Sequence, residues 1–227
     1  MRKVIFFALV AVMGANPLFA QQESWISMGF EFGNSFEYTD GGNTYIGAPG
    51  FNISGYSFYD KKDAGFFFHY SFLFPVLING DGSIYDYDLQ WEFIIGPGFR
   101  YNFNENLKLQ FGIGIDWMFI FASYNQNILG NLTYFAKDAS NFGIGADIGI
   151  KYDITDYFYI NAGLTVSYMF YNYTSISSSY SPTNYETILT QIFDGNIKGY
   201  GMLGIKPYIC IGFNNYSEKA VWGKPKN

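Results

Sequence analysis

An all-β chain closed into a transmembrane, antiparallel up-and-down barrel of eight strands is the fold class this sequence predicts. Three observations carry the prediction. Apolar residues recur at every second position in run after run, the connections between runs alternate between short and long, and the apolar face holds more bulk than a small barrel can enclose. Composition agrees. Among 227 residues there are 26 Gly, 25 Phe and 21 Tyr, with 22 % aromatic and 14 % charged residues. Those fractions exclude a disordered chain and an ordinary water-exposed globule. A net charge of −6 without a basic block removes any general argument for nucleic acid as a partner. One Cys and one His leave no disulfide framework and little for a His-based metal site, so no metal and no cofactor are expected.

Residues 1–20 read as a secretory signal peptide. Arg2 and Lys3 give the positive start, residues 4–13 the short apolar core, and Asn16-Pro17 a break before Leu18-Phe19-Ala20. The alternative, an N-terminal membrane anchor, needs a longer apolar run. The barrel domain is assigned to residues 21–213 and a periplasmic C-terminal tail to residues 214–227. After Ala20 the nearest approach to a helical span, residues 66–78, is broken by His69, Ser71 and Pro75, so membrane helices are not expected.

The first strand sets Ile26, Met28, Phe30, Phe32, Phe36 and Tyr38 against Ser27, Gly29, Glu31, Gly33, Ser35 and Glu37. The second, within residues 44–59, is poorly patterned and is expected to carry a bulge. The third places Phe66, Phe68, Tyr70, Phe72 and Phe74 on one face. Leu89, Trp91, Phe93, Ile95 and Phe99 define the fourth, and Leu107, Leu109, Phe111, Ile113, Ile115 and Trp117 the fifth. Runs beginning at Phe142, Phe158 and Leu203 complete the eight, the last ending in Phe213. Residues 60–63, 104–106 and 154–156 are tight turns rich in Asp, Asn and Lys. Residues 39–43, 79–88, 122–141 and 171–196 form the other set, mostly longer and rich in Ser, Asn, Gly and Tyr. Short turns at one end and long loops at the other are the pattern of an outer-membrane barrel, and an even strand number puts both chain ends on the periplasmic side.

Alternation alone fits a soluble lipocalin-type barrel equally well. Volume separates the two, because an eight-stranded barrel has an interior just wide enough for side chains or one small ligand. The face opposite the bulky one carries Gly96, Gly98, Gly112, Gly114, Gly143, Gly145 and Gly149, which suits a narrow lumen. The apolar face must therefore point outward, into lipid. Tyr38, Trp91, Trp117 and Tyr168 then fall near the outer rim, and Tyr59, Tyr101 and Tyr152 near the periplasmic rim. Two aromatic girdles result, as interfacial anchoring requires.

On these runs, on Gly96-Pro97-Gly98-Phe99-Arg100-Tyr101-Asn102-Phe103 and on the final strand ending in Phe213, the chain resembles the small eight-stranded outer-membrane barrels of the OmpA-transmembrane, OmpX and OmpW types. The resemblance implies an outer-membrane location, with lipid, lipopolysaccharide and the barrel-insertion machinery as partners. There is one departure. In the family the last aromatic usually ends the chain, whereas here residues 214–227 follow, with Lys219, Lys224 and Lys226 among them.

Inward positions carry Glu31, Glu37, Glu92, Asp116 and Asp147 against Arg100, Lys108, Lys151, Lys198 and Lys206. In a narrow cavity these charges are expected to pair as a lumen ion-pair network. Two readings stand: a structural plug, or a gated ion path. Toward the outer half the inward positions turn apolar, with Leu73, Leu77, Ile94, Met118, Ile120, Met169 and Met202. An apolar chamber over a charged floor resembles the OmpW arrangement, which implies binding of small apolar molecules with lateral release. Pro75 and Pro97, in adjacent strands, would mark a seam. The competing reading is that these side chains only fill the upper core.

His69-Tyr70-Ser71 resembles the His-x-Ser pair of outer-membrane lipid A deacylases, but the Asn that follows there is Phe72 here, and the pair faces the lumen. A hydrogen-bonded interior His is expected, and no enzymatic activity. Asp81, Asp86 and Asp88 read as a solvated acidic loop, and Cys210 as a small inward residue. The Tyr-, Ser- and Asn-rich long loops suit adaptable recognition, so a surface adhesion protein contacting a host surface is the alternative to a binder of small hydrophobic ligands.

Overall fold

The computed structural model describes residues 23–39, 42–58, 63–74, 76–78, 84–128, 131–178, 195–196 and 200–216. The expected signal peptide, Tyr59, Pro75, Lys198 and the tail beyond Tyr216 lie outside them, as do the side chains of Leu77, Asp81, Asp86 and Asp88. The strands are β1 (Glu23–Thr39), β2 (Gly42–Phe58), β3 (Ala64–Leu73), β4 (Val76–Ile78), β5 (Ile84–Asn102), β6 (Leu107–Ile128), β7 (Asn131–Asp153), β8 (Phe158–Ser178), β9 (Gly195–Asn196) and β10 (Gly201–Tyr216). Among the described residues no helix is long and apolar enough to cross a membrane.

Neighbouring strands pair antiparallel, and β1 pairs with both β2 and β10, so the sheet closes on itself. Strands β3 and β4 are two lengths of one stave, both lying between β2 and β5, and β9 is a stub on β8. The product is a closed up-and-down barrel of eight staves. Closure gives every stave a partner on both sides, which removes the exposed edges an open sheet would present. Glu23 pairs with Tyr216, so the first and last described residues of the barrel sit together at the end that carries the tight turns.

Two of those turns are built alike. Asn104 Oδ1 accepts from the N–H groups of Asn106 at 2.9 Å and Leu107 at 2.8 Å. Thr155 Oγ1 accepts from Tyr157 at 3.3 Å and Phe158 at 3.0 Å. In each, a short polar side chain takes donors the ladder cannot reach, and so sets where the next strand begins.

The second stave departs from expectation. β2 holds an unbroken register on β1, from Glu23↔Phe58 to Thr39↔Gly42, with no bulge. Its pattern is weak in sequence because both faces carry bulk: Phe51 is exposed, while Ile46, Tyr56 and Phe58 are buried in the lumen. The register shifts lie elsewhere. β5 gains a residue against β6 between Tyr87 and Leu89, and β8 gains one against β7 opposite the Phe142–Gly143 step. There Phe170 and Tyr171 both face outward while Met169 and Asn172 are buried, so the bulge reverses the parity of the rest of the strand.

Of the seam expected between Pro75 and Pro97, Pro75 lies outside the described residues. Pro97 keeps its pairing with Phe66 of β3, but the ladder toward β6 lapses at Gly96 and Pro97. A second lapse falls between β1 and β10, at Lys206 and Pro207. A proline has no N–H to give the ladder, and the two interruptions lie half the circumference apart.

Residues 122–141 are not a long loop. They form the arms of a hairpin, paired from Ile128↔Asn131 down to Leu107↔Tyr152. β6, β7 and β8 have 22, 23 and 21 residues, about double the 9–11 that a membrane-crossing strand needs. The sequence reads as loop because a stave projecting past the apolar belt has no greasy face to declare, and Ser, Asn, Gln and Tyr pair through their backbones all the same.

Candidate functional site

The lumen is filled in three tiers. At the turn end Trp25, Tyr56, Phe58, Phe67, Ile94 and Tyr159 form one apolar cluster. Toward the other end Met118, Ile120, Ala139, Met169, Tyr200 and Met202 form a second. Glycines on facing staves make room for the rings. A Cβ on Gly112 would meet the Phe67 ring at 2.5 Å, and one on Gly212 the Tyr159 ring at 2.2 Å. Substitution at either would overfill the core.

Between the clusters lies a charged tier. Glu31, His69, Glu92, Asp116, Asp147 and Lys206 are all buried there. His69 Nε2 bonds Glu31 Oε1 at 3.1 Å, and its Nδ1 is 3.8 Å from Asp147 Oδ2. Tyr56 donates to Asp147, which also accepts from Thr165 Oγ1 at 3.3 Å. Lys206 pairs with Glu92 and donates to Ser167 Oγ at 3.2 Å. Neither oxygen of Asp116 has a hydrogen-bond partner. Ser71 Oγ has none either, so His69 and Ser71 are not joined as base and nucleophile.

Arg100, Lys108 and Lys151 stand apart from that tier. Lys108 bonds Asp153 Oδ2 at 2.6 Å, and Lys151 and Asn214 bond its Oδ1. Arg100 Nε reaches Asp63 at 3.2 Å, in the turn before β3. All three cations gather on aromatic faces. Lys151 is 4.6 Å from the centre of the Trp25 ring and 4.4 Å from that of Tyr159, Lys108 is 5.9 Å from Trp25, and Arg100 is 4.7 Å from Phe58. The turn end is thus stoppered by rings and cations rather than open. Asp153, which anchors the stopper, is missing from the sequence assignment. Its inward parity beside outward Tyr152 is the signal that could have found it.

The apolar assignments divide. Met118, Ile120 and Met202 meet in the upper cluster. Leu73 is buried elsewhere, its Cδ1 close against Gly33, and Ile94 belongs to the lower cluster, not the upper. Parity gives the face of a stave, but the tilt of barrel staves decides the level. Cys210 is buried and its Sγ contacts Asn52 Oδ1 at 2.9 Å. Among the described residues no group of three or more His, Cys, Asp or Glu side chains is placed to hold a metal ion.

Closed staves, a packed lumen and an outward apolar face define a small eight-stranded antiparallel barrel of the kind found in outer membranes. Ail, the attachment invasion locus protein of Yersinia pestis, solved in complex with the heparin analogue sucrose octasulfate, matches 86 % of this chain and 99 % of its own with TM-score 0.49 and 16 % identity. OprG from Pseudomonas aeruginosa matches 86 % and 97 % with TM-score 0.48 and 11 % identity. Neisserial surface protein A matches 84 % and 96 % with TM-score 0.46 and 12 % identity. No protein-family model and no curated protein matches the sequence. The likeness to these three is one of fold.

Proposed function

We propose that this chain is an outer-membrane barrel that works as a surface interaction protein, presenting its extended β6–β7–β8 wall outside the cell. The membrane part of the reading rests on the exterior. Phe30, Phe99, Phe111, Ile115, Ile148, Phe170, Ile211 and many like them are exposed around the barrel, a belt that water would not tolerate and acyl chains would. Exposed Tyr38, Trp117 and Tyr168 on one side and Tyr101, Tyr152 and Tyr157 on the other suit two interfacial girdles. The interaction role rests on one contrast. The lumen is packed with buried side chains at every tier, while three neighbouring staves continue far past the belt.

A second reading, binding of small apolar solutes, is favoured by one observation. Met118, Met169 and Met202 converge in the upper cluster, and unbranched thioether side chains repack readily around a guest. One pair of measurements separates the readings. Removing residues 124–133 from the tip of the hairpin should leave a folded barrel that no longer binds host cells or matrix, with hydrophobic-dye uptake unchanged. Retained adhesion with uptake abolished by Met118→Asp overturns the first reading in favour of the second.

A further inference from the structure

We propose that Glu92 and Asp116 form a binding site for one proton, held between them as a carboxylic acid hydrogen-bonded to a carboxylate. The two side chains come from neighbouring staves. Glu92 pairs with Met118 and Asp116 with Ile94, so they are diagonal neighbours on the lumen face, a spacing that long side chains bridge. On that diagonal both side chains face the same part of the lumen. Yet both Asp116 oxygens and Glu92 Oε2 lack a donor, although both residues are fully buried. Two carboxylates are acceptors only, so a bond between them exists only if one carries a proton.

The charged groups around the gap are engaged elsewhere. From β10, Lys206 reaches Glu92 and spends a second bond on Ser167 of β8. From β3, His69 turns to Glu31 of β1. From β7, Asp147 is taken up by Tyr56 of β2 and Thr165 of β8. Across from Asp116 stands Gly145, where a Cβ would lie 3.0 Å from Asp116 Oδ2, so that stave brings a bare backbone. Counting charges gives the same result. Four carboxylates face two cations: His69 lies beside Glu31 and Asp147, Lys206 pairs with Glu92, and Asp116 is the one of the four with no salt bridge among the described residues, a position a low-dielectric interior penalises heavily. Ser71, opposite Glu92 in the register, adds a buried hydroxyl without a hydrogen-bond partner, a neutral donor that would leave the charge on Asp116 in place. A bound proton removes the charge of the carboxylate that lacks a cation and makes the missing hydrogen bond, Asp116 donating and Glu92 accepting. The inference requires only that the barrel folds, and it stands apart from the membrane and adhesion readings.

The test uses the barrel folded in detergent micelles. Its infrared spectrum at neutral pH should show the carbonyl stretch of a protonated carboxylic acid, and Asp116→Asn should remove that band. Unfolding frees the proton to water, so the unfolding equilibrium constant should rise by up to about tenfold per pH unit as pH increases above the ordinary carboxylate range. In Asp116→Asn the amide N–H takes the proton's place, and this dependence should flatten. If that variant does not fold, Glu92→Gln supplies the same amide from the other side and should lose the same band. Absence of the band in the unsubstituted barrel, or an unaltered pH profile in a folded variant, overturns the proposal. So does stability that follows sodium concentration at fixed pH, which would put a metal cation where the proton is placed.

Discussion

Lys206 shows how far one side chain can organise a lumen. Its ammonium holds Glu92 and Ser167 together across the barrel and is fully buried. Removing one partner of such a pair strands the other charge, at a cost of about 3–5 kcal/mol, whereas replacing both by apolar groups is often neutral. Lys206→Met should therefore lower the unfolding free energy in micelles by about that amount. Adding Glu92→Leu should restore most of it, as urea titration of the single and double variants would measure. Which of these residues face inward is legible from parity. Which of them meet is not, because partners such as Lys206 and Glu92 are far apart in sequence and a stave's tilt decides their level. Ile94 and Asp153 illustrate both sides of this: the first has the expected face at the wrong height, and the second goes unnoticed although it ties Lys108, Lys151 and Asn214 together.

At the scale of the stave, packing is a matter of rings seated over glycines. Phe67 of β3 lies on Gly112 of β6, and Tyr159 of β8 on Gly212 of β10. Gly112→Ala should cost about 1–3 kcal/mol through overpacking, and Phe67→Leu in the same chain should relieve part of it. Thermal unfolding of the three variants would check this. Staves with one greasy and one small face, such as β1 and β6, are readable directly from the period of two. β2 is not, since Tyr56 and Phe58 put bulk on the inward face as well. The hairpin arms of β6 and β7 are missed for a different reason. Above the belt neither face needs to be apolar, so the only trace of strand left is backbone pairing, which no side-chain pattern records.

For the whole molecule the decisive fact is that, among the described residues, buried side chains fill the lumen toward both ends. The aromatic and cationic stopper at the turn end should make the barrel a poor conductor in planar bilayers. Trp25→Ala combined with Tyr159→Ala removes the rings on which Lys151 rests and should raise single-channel conductance markedly. An unchanged conductance would show that the upper cluster alone seals the path.

The two proline lapses, at Pro97 and Pro207, each leave two residue pairs out of a ladder that continues above and below, on opposite sides of the ring. A hoop loosened at two facing points does not deform evenly: lateral pressure works on those points first. Its cross-section would flatten into an ellipse along one fixed direction, so this cylinder has a grain that its closed outline conceals.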